Sequence, residues 1–226
     1  MRYSLPEVAQ ALPGLGRFCA AVKDLLERRE GQRGPATDKA VIVEDLVAWG
    51  LPCSAAEVYG FEFIPALSMK LGGSHDPGLS ALTGGILAYA FDAATDEELF
   101  FSLALPFGYR EGAQIIPVAR WAPSGTDTTG AAVWGLEYAW ASEDVLFPAA
   151  QTALAISNPG GAANVHRAAR FAPLAAPGKK IGSVLMGRVY RDANHASDGY
   201  AEDAFLLGLG FVVTLSSLGA RTAFTK

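Results

Sequence analysis

From Asp96 to Leu215 apolar residues recur at every second position in run after run, and a period of two marks a strand that buries one face. Leu99, Phe101, Leu103 and Leu105 alternate up to Pro106. Gln114 to Trp121 is a second run, ended by Pro123-Ser124-Gly125. Val133 to Ala141 is a third, with Trp134, Leu136, Tyr138 and Trp140 on one face. Val165 to Phe171 is a fourth, Ile181 to Arg191 a fifth and Phe205 to Leu215 a sixth. In the last, Phe205, Leu207, Leu209, Phe211, Val213 and Leu215 are expected to share one face. The opposite face carries Gly208 and Gly210, which leaves room for another group to pack close. Short alternating strands divided by turn residues, such as Asn158-Pro159-Gly160-Gly161, predict a mainly β chain. The expected fold is an antiparallel β-sandwich, jelly-roll-like, over residues 96–226.

Ahead of that domain the period changes. Leu15, Phe18, Val22 and Leu25 recur at helical spacing, and Leu26 widens the stripe. Arg28 and Arg29 suit the C-terminal dipole, and Gly31 is a natural stop. The pattern predicts one short amphipathic helix within an N-terminal segment, 1–49. A lone helix cannot bury its stripe by itself, so these five residues are expected to serve assembly or anchoring. Pro52, Pro65, Gly72-Gly73, Pro77-Gly78 and Gly84-Gly85 interrupt the residues that follow, and 50–95 reads as an irregular arm or linker.

Half of the 226 residues are hydrophobic, enough for a real core, whereas only 18% are charged. A surface with so few charges points to partners, and copies of the same chain are the expected ones. A net charge of −5 argues against nucleic acid, which needs a concentrated basic surface. The two cysteines, Cys19 and Cys53, define no disulfide framework. The start of the chain lacks the apolar core of a signal peptide, and no run is long enough for membrane insertion.

Chemistry-bearing patterns are few. His75, His166 and His195 lack the spacing of a metal site. The loop from Asp192 to Asp203 opens like a calcium loop but puts Ala196 where a ligand atom is needed and Ser197 where glycine is needed. It reads instead as a strand-to-strand turn in which Asp198 caps and Arg188 or Arg191 pairs with a carboxylate. Glu137 has no evident second carboxylate for glycoside hydrolysis. Trp121, Trp134, Tyr138 and Trp140 offer a sugar-stacking platform, although alternating aromatics on one strand face more often form core. No catalytic residue, metal or cofactor is expected.

The stretch from Leu105 onward resembles a family of tailed-bacteriophage virion structural proteins. The resemblance rests on Pro106 with Glu111-Gly112, then Trp121-Ala122-Pro123. Gly130 follows with Val133-Trp134-Gly135-Leu136-Glu137-Tyr138. Ser183 comes next with Arg188-Val189-Tyr190-Arg191-Asp192, then Tyr200 with Asp203-Ala204-Phe205-Leu206-Leu207, and Gly219 with Lys226. It covers a little over half of the chain. Where the family often carries histidines before the tryptophan, this chain has Val118-Ala119-Arg120. The resemblance implies a non-enzymatic component of a phage-like particle, such as a tail appendage, fibre base or head decoration. The chain would be made in the host cytoplasm and carried in the virion. Its N-terminal segment would attach it to tail, portal-adjacent or capsid proteins, and analogy with fibres favours a homotrimer. The alternative is a carbohydrate-binding β-sandwich module that recognises a host-surface glycan.

Overall fold

A computed structural model describes residues 58–127 and 129–216. Ten strands follow in order: β1 Val58–Pro65, β2 Gly78–Thr83, β3 Ile86–Phe91, β4 Glu97–Ala104 and β5 Ile115–Pro123. Then come β6 Ala132–Ala141, β7 Gln151–Ser157, β8 Arg167–Arg170, β9 Val184–Arg191 and β10 Ala204–Leu215. The only helical turn among the described residues is the 3-10 turn Ala66–Ser68. All strand pairs are antiparallel. One sheet runs β2-β3-β10-β5-β8, and β1 continues the β3 side along the second half of β10; the other runs β4-β9-β6-β7. The chain is therefore mainly β, in two antiparallel sheets.

The inner faces of both sheets close one core. Leu99 and Phe101 of β4, Trp134 and Leu136 of β6, and Leu185 and Val189 of β9 meet Ile115, Ala119 and Trp121 of β5 and Leu209, Phe211 and Val213 of β10. Aromatic pairs bridge the layers: Phe101 to Phe211 at 5.7 Å, Trp121 to Trp134 at 6.1 Å and Phe91 to Trp134 at 5.3 Å between centroids. Full burial of each such side chain is worth about 1.5–3 kcal/mol before ordering entropy is subtracted. Trp134 Nε1 has no hydrogen-bond partner in that core, which makes its burial costlier than that of Trp121, whose Nε1 donates to Ser157 Oγ at 3.0 Å.

Two sequence expectations are corrected here. Residues 58–91 are not an irregular arm: they form β1, β2 and β3, and β1 and β3 pair with β10 in the same sheet. Pro52 lies outside the described residues; the other glycines and prolines that suggested irregularity sit at strand ends and in the loops and turns between strands. Pro65 ends β1, Gly78 opens β2, and Gly84-Gly85 close the β2–β3 hairpin with Gly84 at φ +55°. The second correction concerns β10. Its pairing with β5 shifts between Leu206 and Gly208, so Leu207 is the extra residue of a bulge. Phe205 and Leu207 consequently leave the face of Leu209, Phe211 and Val213. They pack with Ala88, Ala90, Ala122 and Leu82 in a separate small cluster. The helix expected over Leu15 to Leu26 lies outside the described residues.

Candidate functional site

The most conspicuous exposed feature starts on β1. Its outward positions are Tyr59, Phe61 and Phe63, which are 56%, 47% and 46% exposed. Phe61 and Phe63 are nearly parallel, with an interplanar angle of 18° and centroids 6.1 Å apart. They lie on β10, where a Cβ at Gly210 would collide with the Phe61 ring and one at Gly208 with the Phe63 ring. The two glycines thus lower the floor so that the rings can approach the backbone of β10. Arg120 of β5 holds its Cζ 5.4 Å from the Phe61 centroid, a cation–π contact worth about 0.5–1 kcal/mol at an exposed site. Past Tyr59 the face sinks into a hollow of 330 Å³ lined by Arg110, Gln114, Ile116, Val212 and Thr214. The result is an aromatic shelf ending in a polar hollow.

The outer face of the other sheet is built differently. The ladder sets Phe100, Arg188 and Glu137 level across β4, β9 and β6. Arg188 donates through Nη1 to Glu98 and through Nε to Glu137 at 2.5 Å. Its Cζ stands 5.0 Å from the Tyr190 centroid, and the Tyr190 ring covers Gly135. A hollow of 430 Å³ beside this group is lined by His75, Asp96, Glu97 and Asp192. Burial works against the Arg188 charge, but the hydrogen bonds it donates to Glu98 and Glu137, with the charges of those carboxylates, outweigh it and raise the guanidinium's pKa. Burial raises the Asp192 carboxyl above its usual range, and the charge of Asp96 adds to that. Burial likewise raises the Tyr190 phenol, followed by the charge of Asp192. Arg188, Glu98 and Glu137 satisfy one another, and the Tyr190 ring is occupied on the Gly135 side.

A third polar group is internal. Arg191 is fully buried, and its guanidinium grips Asp198 bidentately, Nε to Oδ2 at 3.1 Å and Nη2 to Oδ1 at 2.9 Å. Nη1 donates to the carbonyls of Phe91 at 3.3 Å and Glu202 at 2.8 Å, and Nη2 donates to that of Tyr200. Asp198 Oδ2 also accepts the Val133 N–H at 2.8 Å. All five guanidinium donors are used, so the pair ties the 192–203 loop to β3, β6 and β9.

The residues singled out from sequence fall as follows. Trp121 and Trp134 have no exposed surface, and Tyr138 and Trp140 are 6% and 4% exposed, so all four are core and present no ring to a ligand. Glu137 is held by Arg188, and the second carboxylate at that cation is Glu98. The turn from Asp192 closes on Asp198 and Arg191, with His195 Nδ1 accepting the Ser197 N–H at 3.0 Å. His166 is exposed near the start of β8. Among the described residues no three His, Cys, Asp or Glu are placed to hold a metal ion. Leu15, Phe18, Val22, Leu25 and Leu26 lie outside those residues. The sequence reading missed Tyr59, Phe61 and Phe63, although their alternation in Val58–Pro65 is the same period-two signal used elsewhere.

No protein-family model matches the chain, and no curated protein matches it. Several solved structures are similar at low identity. The CBM36-1 domain of a multidomain xylanase from the hindgut metagenome of Trinervitermes trinervoides is 11% identical. That match covers 67% of this chain and 96% of that one, with a TM-score of 0.35. TmCBM61, solved with β-1,4-galactotriose, is 7% identical over 72% and 88% of the two chains, with a TM-score of 0.28. A chain of infectious bursal disease virus, Gx strain, is 12% identical over 70% of this chain and 33% of its own, with a TM-score of 0.33. At these values the likeness assigns no ligand, and the architecture stands on the strand pairing itself.

Proposed function

We propose that this chain is a carbohydrate-binding β-sandwich module that recognises a glycan-bearing surface without acting on it. The observation that carries this reading is the pair Phe61 and Phe63, nearly parallel, half exposed and reaching over Gly210 and Gly208. A pyranose offers a flat face of C–H groups, and an aromatic shelf takes such a face while the ring hydroxyls look for polar partners. The hollow beyond Tyr59, with Gln114 and Thr214 in its wall, supplies polar groups at the end of the shelf. Aromatic rings bind at little entropic cost because only two side-chain torsions have to be frozen. We also infer the jelly-roll order for the fold: β3-β10-β5-β8 faces β4-β9-β6-β7, which fits eight successive strands in two Greek keys, with β1 and β2 added.

The test is a screen of the full chain against immobilised glycans, followed by titration of the strongest. The expected outcome is binding that the Phe61→Ala/Phe63→Ala double substitution abolishes while the circular dichroism spectrum stays that of a β protein. Glycan binding left intact by that substitution removes the shelf from the account.

A second reading has its own support. Leu79, Ile86 and Leu87 on the β2–β3 hairpin are 55%, 63% and 49% exposed, and Leu146 is 90% exposed. Exposed apolar side chains on the edge hairpin and in the β6–β7 connection favour a structural component of a phage-like particle, as the resemblance implies. Co-purification of the chain with particles, and its loss from them when Ile86 and Leu87 become Asp, is the outcome expected on that reading.

A further inference from the structure

We propose that a second copy of this chain docks edge to edge on β7, extending the β4-β9-β6-β7 sheet through a two-fold axis. β7 is an end strand: Gln151–Ser157 pairs with β6 on one side, and among the described residues its backbone pairs with no other strand. Natural proteins blunt such edges with charges, prolines, bulges or a covering segment. The other edges carry these devices. β8 has Arg167 and Arg170 within four residues. β4 is covered by Lys70, whose N–H donates to Phe100 O at 2.9 Å and whose carbonyl accepts the Phe100 N–H at 2.8 Å. β2 is irregular in register between Ala81 and Thr83. β1 carries Glu62 and ends on Pro65. β7 has no charge, proline or bulge: its sequence is Gln-Thr-Ala-Leu-Ala-Ile-Ser, and it runs in unbroken register along β6.

The side chains agree with the backbone. Leu154 and Ile156 point out of the sheet and are 41% and 59% exposed. The segment leading into β7 adds Val145 and Phe147, 55% and 43% exposed. The occupant is a copy of the chain because the strand is suited to itself. The molecule carries a net charge of −5, yet an antiparallel β7–β7 pair sets no like charges opposite one another. A register centred on Leu154 or Ala155 brings Leu154 and Ile156 of both strands onto one face, as an isologous two-fold contact requires. Such pairing satisfies backbone donors and acceptors on both edges and covers four apolar side chains at once.

Mass measurement by light scattering on the full chain tests this, together with the variants Leu154→Lys/Ile156→Lys and Leu154→Glu/Ile156→Glu. Both positions are exposed, so an unchanged circular dichroism spectrum is expected. The expected result is a mass of two chains for the native protein, one chain for each variant alone, and two chains again when the variants are mixed. A native mass of one chain overturns the proposal. So does a mass of two or three chains that the substitutions leave unchanged, or a mixture of the folded variants that stays at one chain.

Discussion

Arg188 and Arg191 stand three residues apart on one strand and carry the same charge, but they do different work. Arg188 lies on the outer face with its side chain 38% exposed, and its ion pairs are open to water. Such pairs are worth about 0–1 kcal/mol, so Arg188→Met should shift the urea midpoint very little. Arg191 and Asp198 are 0% and 1% exposed. Arg191→Met leaves a buried carboxylate and three carbonyls without their donor, which should cost about 3–5 kcal/mol and be visible as a large drop in that midpoint. Equal midpoints for the two variants would refute the clamp. Tyr109 gives a pH test. Its side chain is fully buried and its hydroxyl donates to the Ala113 carbonyl; burial pushes its pKa up to about 12, with the charge of Glu111 adding to that. The folded state holds the neutral phenol more tightly than the unfolded chain does. This contribution is whole below pH of about 10, the ordinary phenol value, and is lost as pH climbs toward 12. Absorbance of the phenolate should therefore show at least one tyrosine, Tyr109, that ionises only as the protein unfolds. Ionisation of all tyrosines near pH 10 with the fold intact would contradict this.

Among the elements, β10 carries most of the architecture, pairing with β1, β3 and β5. Its alternation was legible in the sequence, as were β4, β5, β6 and β9, because each carries large apolar residues at period two; β8, whose one buried residue is Ala169, was legible only through Val165 and Phe171 beside it. What alternation does not reveal is a bulge. One extra residue at Leu207 turns Phe205 to the opposite face, and no side-chain pattern within Phe205–Leu215 announces it. β1, β2, β3 and β7 were not legible, for two reasons. β1 turns its large side chains outward, so its pattern does not read as core, and β7 is built mostly of small residues. Glycines between β2 and β3 look like disorder until they are seen as the two residues of a hairpin. The same glycine logic sharpens the site. Gly208 and Gly210 were legible as a place for close packing, yet the rings that fill it came from a segment read as an arm. Gly210→Val should displace the Phe61 ring, a flexible side-chain end that can swing away, and so cost little stability while abolishing glycan binding. Gly130→Ala meets the Gly199 carbonyl, where backbone has to move; overpacking there should cost about 1–3 kcal/mol. Thermal melts of the two variants should separate them in that order.

At the scale of the whole molecule, a sandwich with two outer faces has divided its surface. The face over β4, β9 and β6 is occupied by ion pairs that close on themselves around Arg188. The face over β1, β10 and β5 carries aromatic rings with open surface, with Arg120 over Phe61 and Arg110 in the hollow past Tyr59. Trp121, Trp134 and Trp140 belong to the core, and the recognition surface proposed here uses phenylalanine and tyrosine instead. The most direct test is an NMR titration of the full chain, labelled on its aromatic side chains and glycine amides, with the strongest-binding oligosaccharide. The account predicts shift changes concentrated on Tyr59, Phe61, Phe63, Gly208 and Gly210, with Tyr190 and Phe100 unmoved. Changes centred on Tyr190 and the Arg188 face, with Phe61 and Phe63 silent, would contradict it.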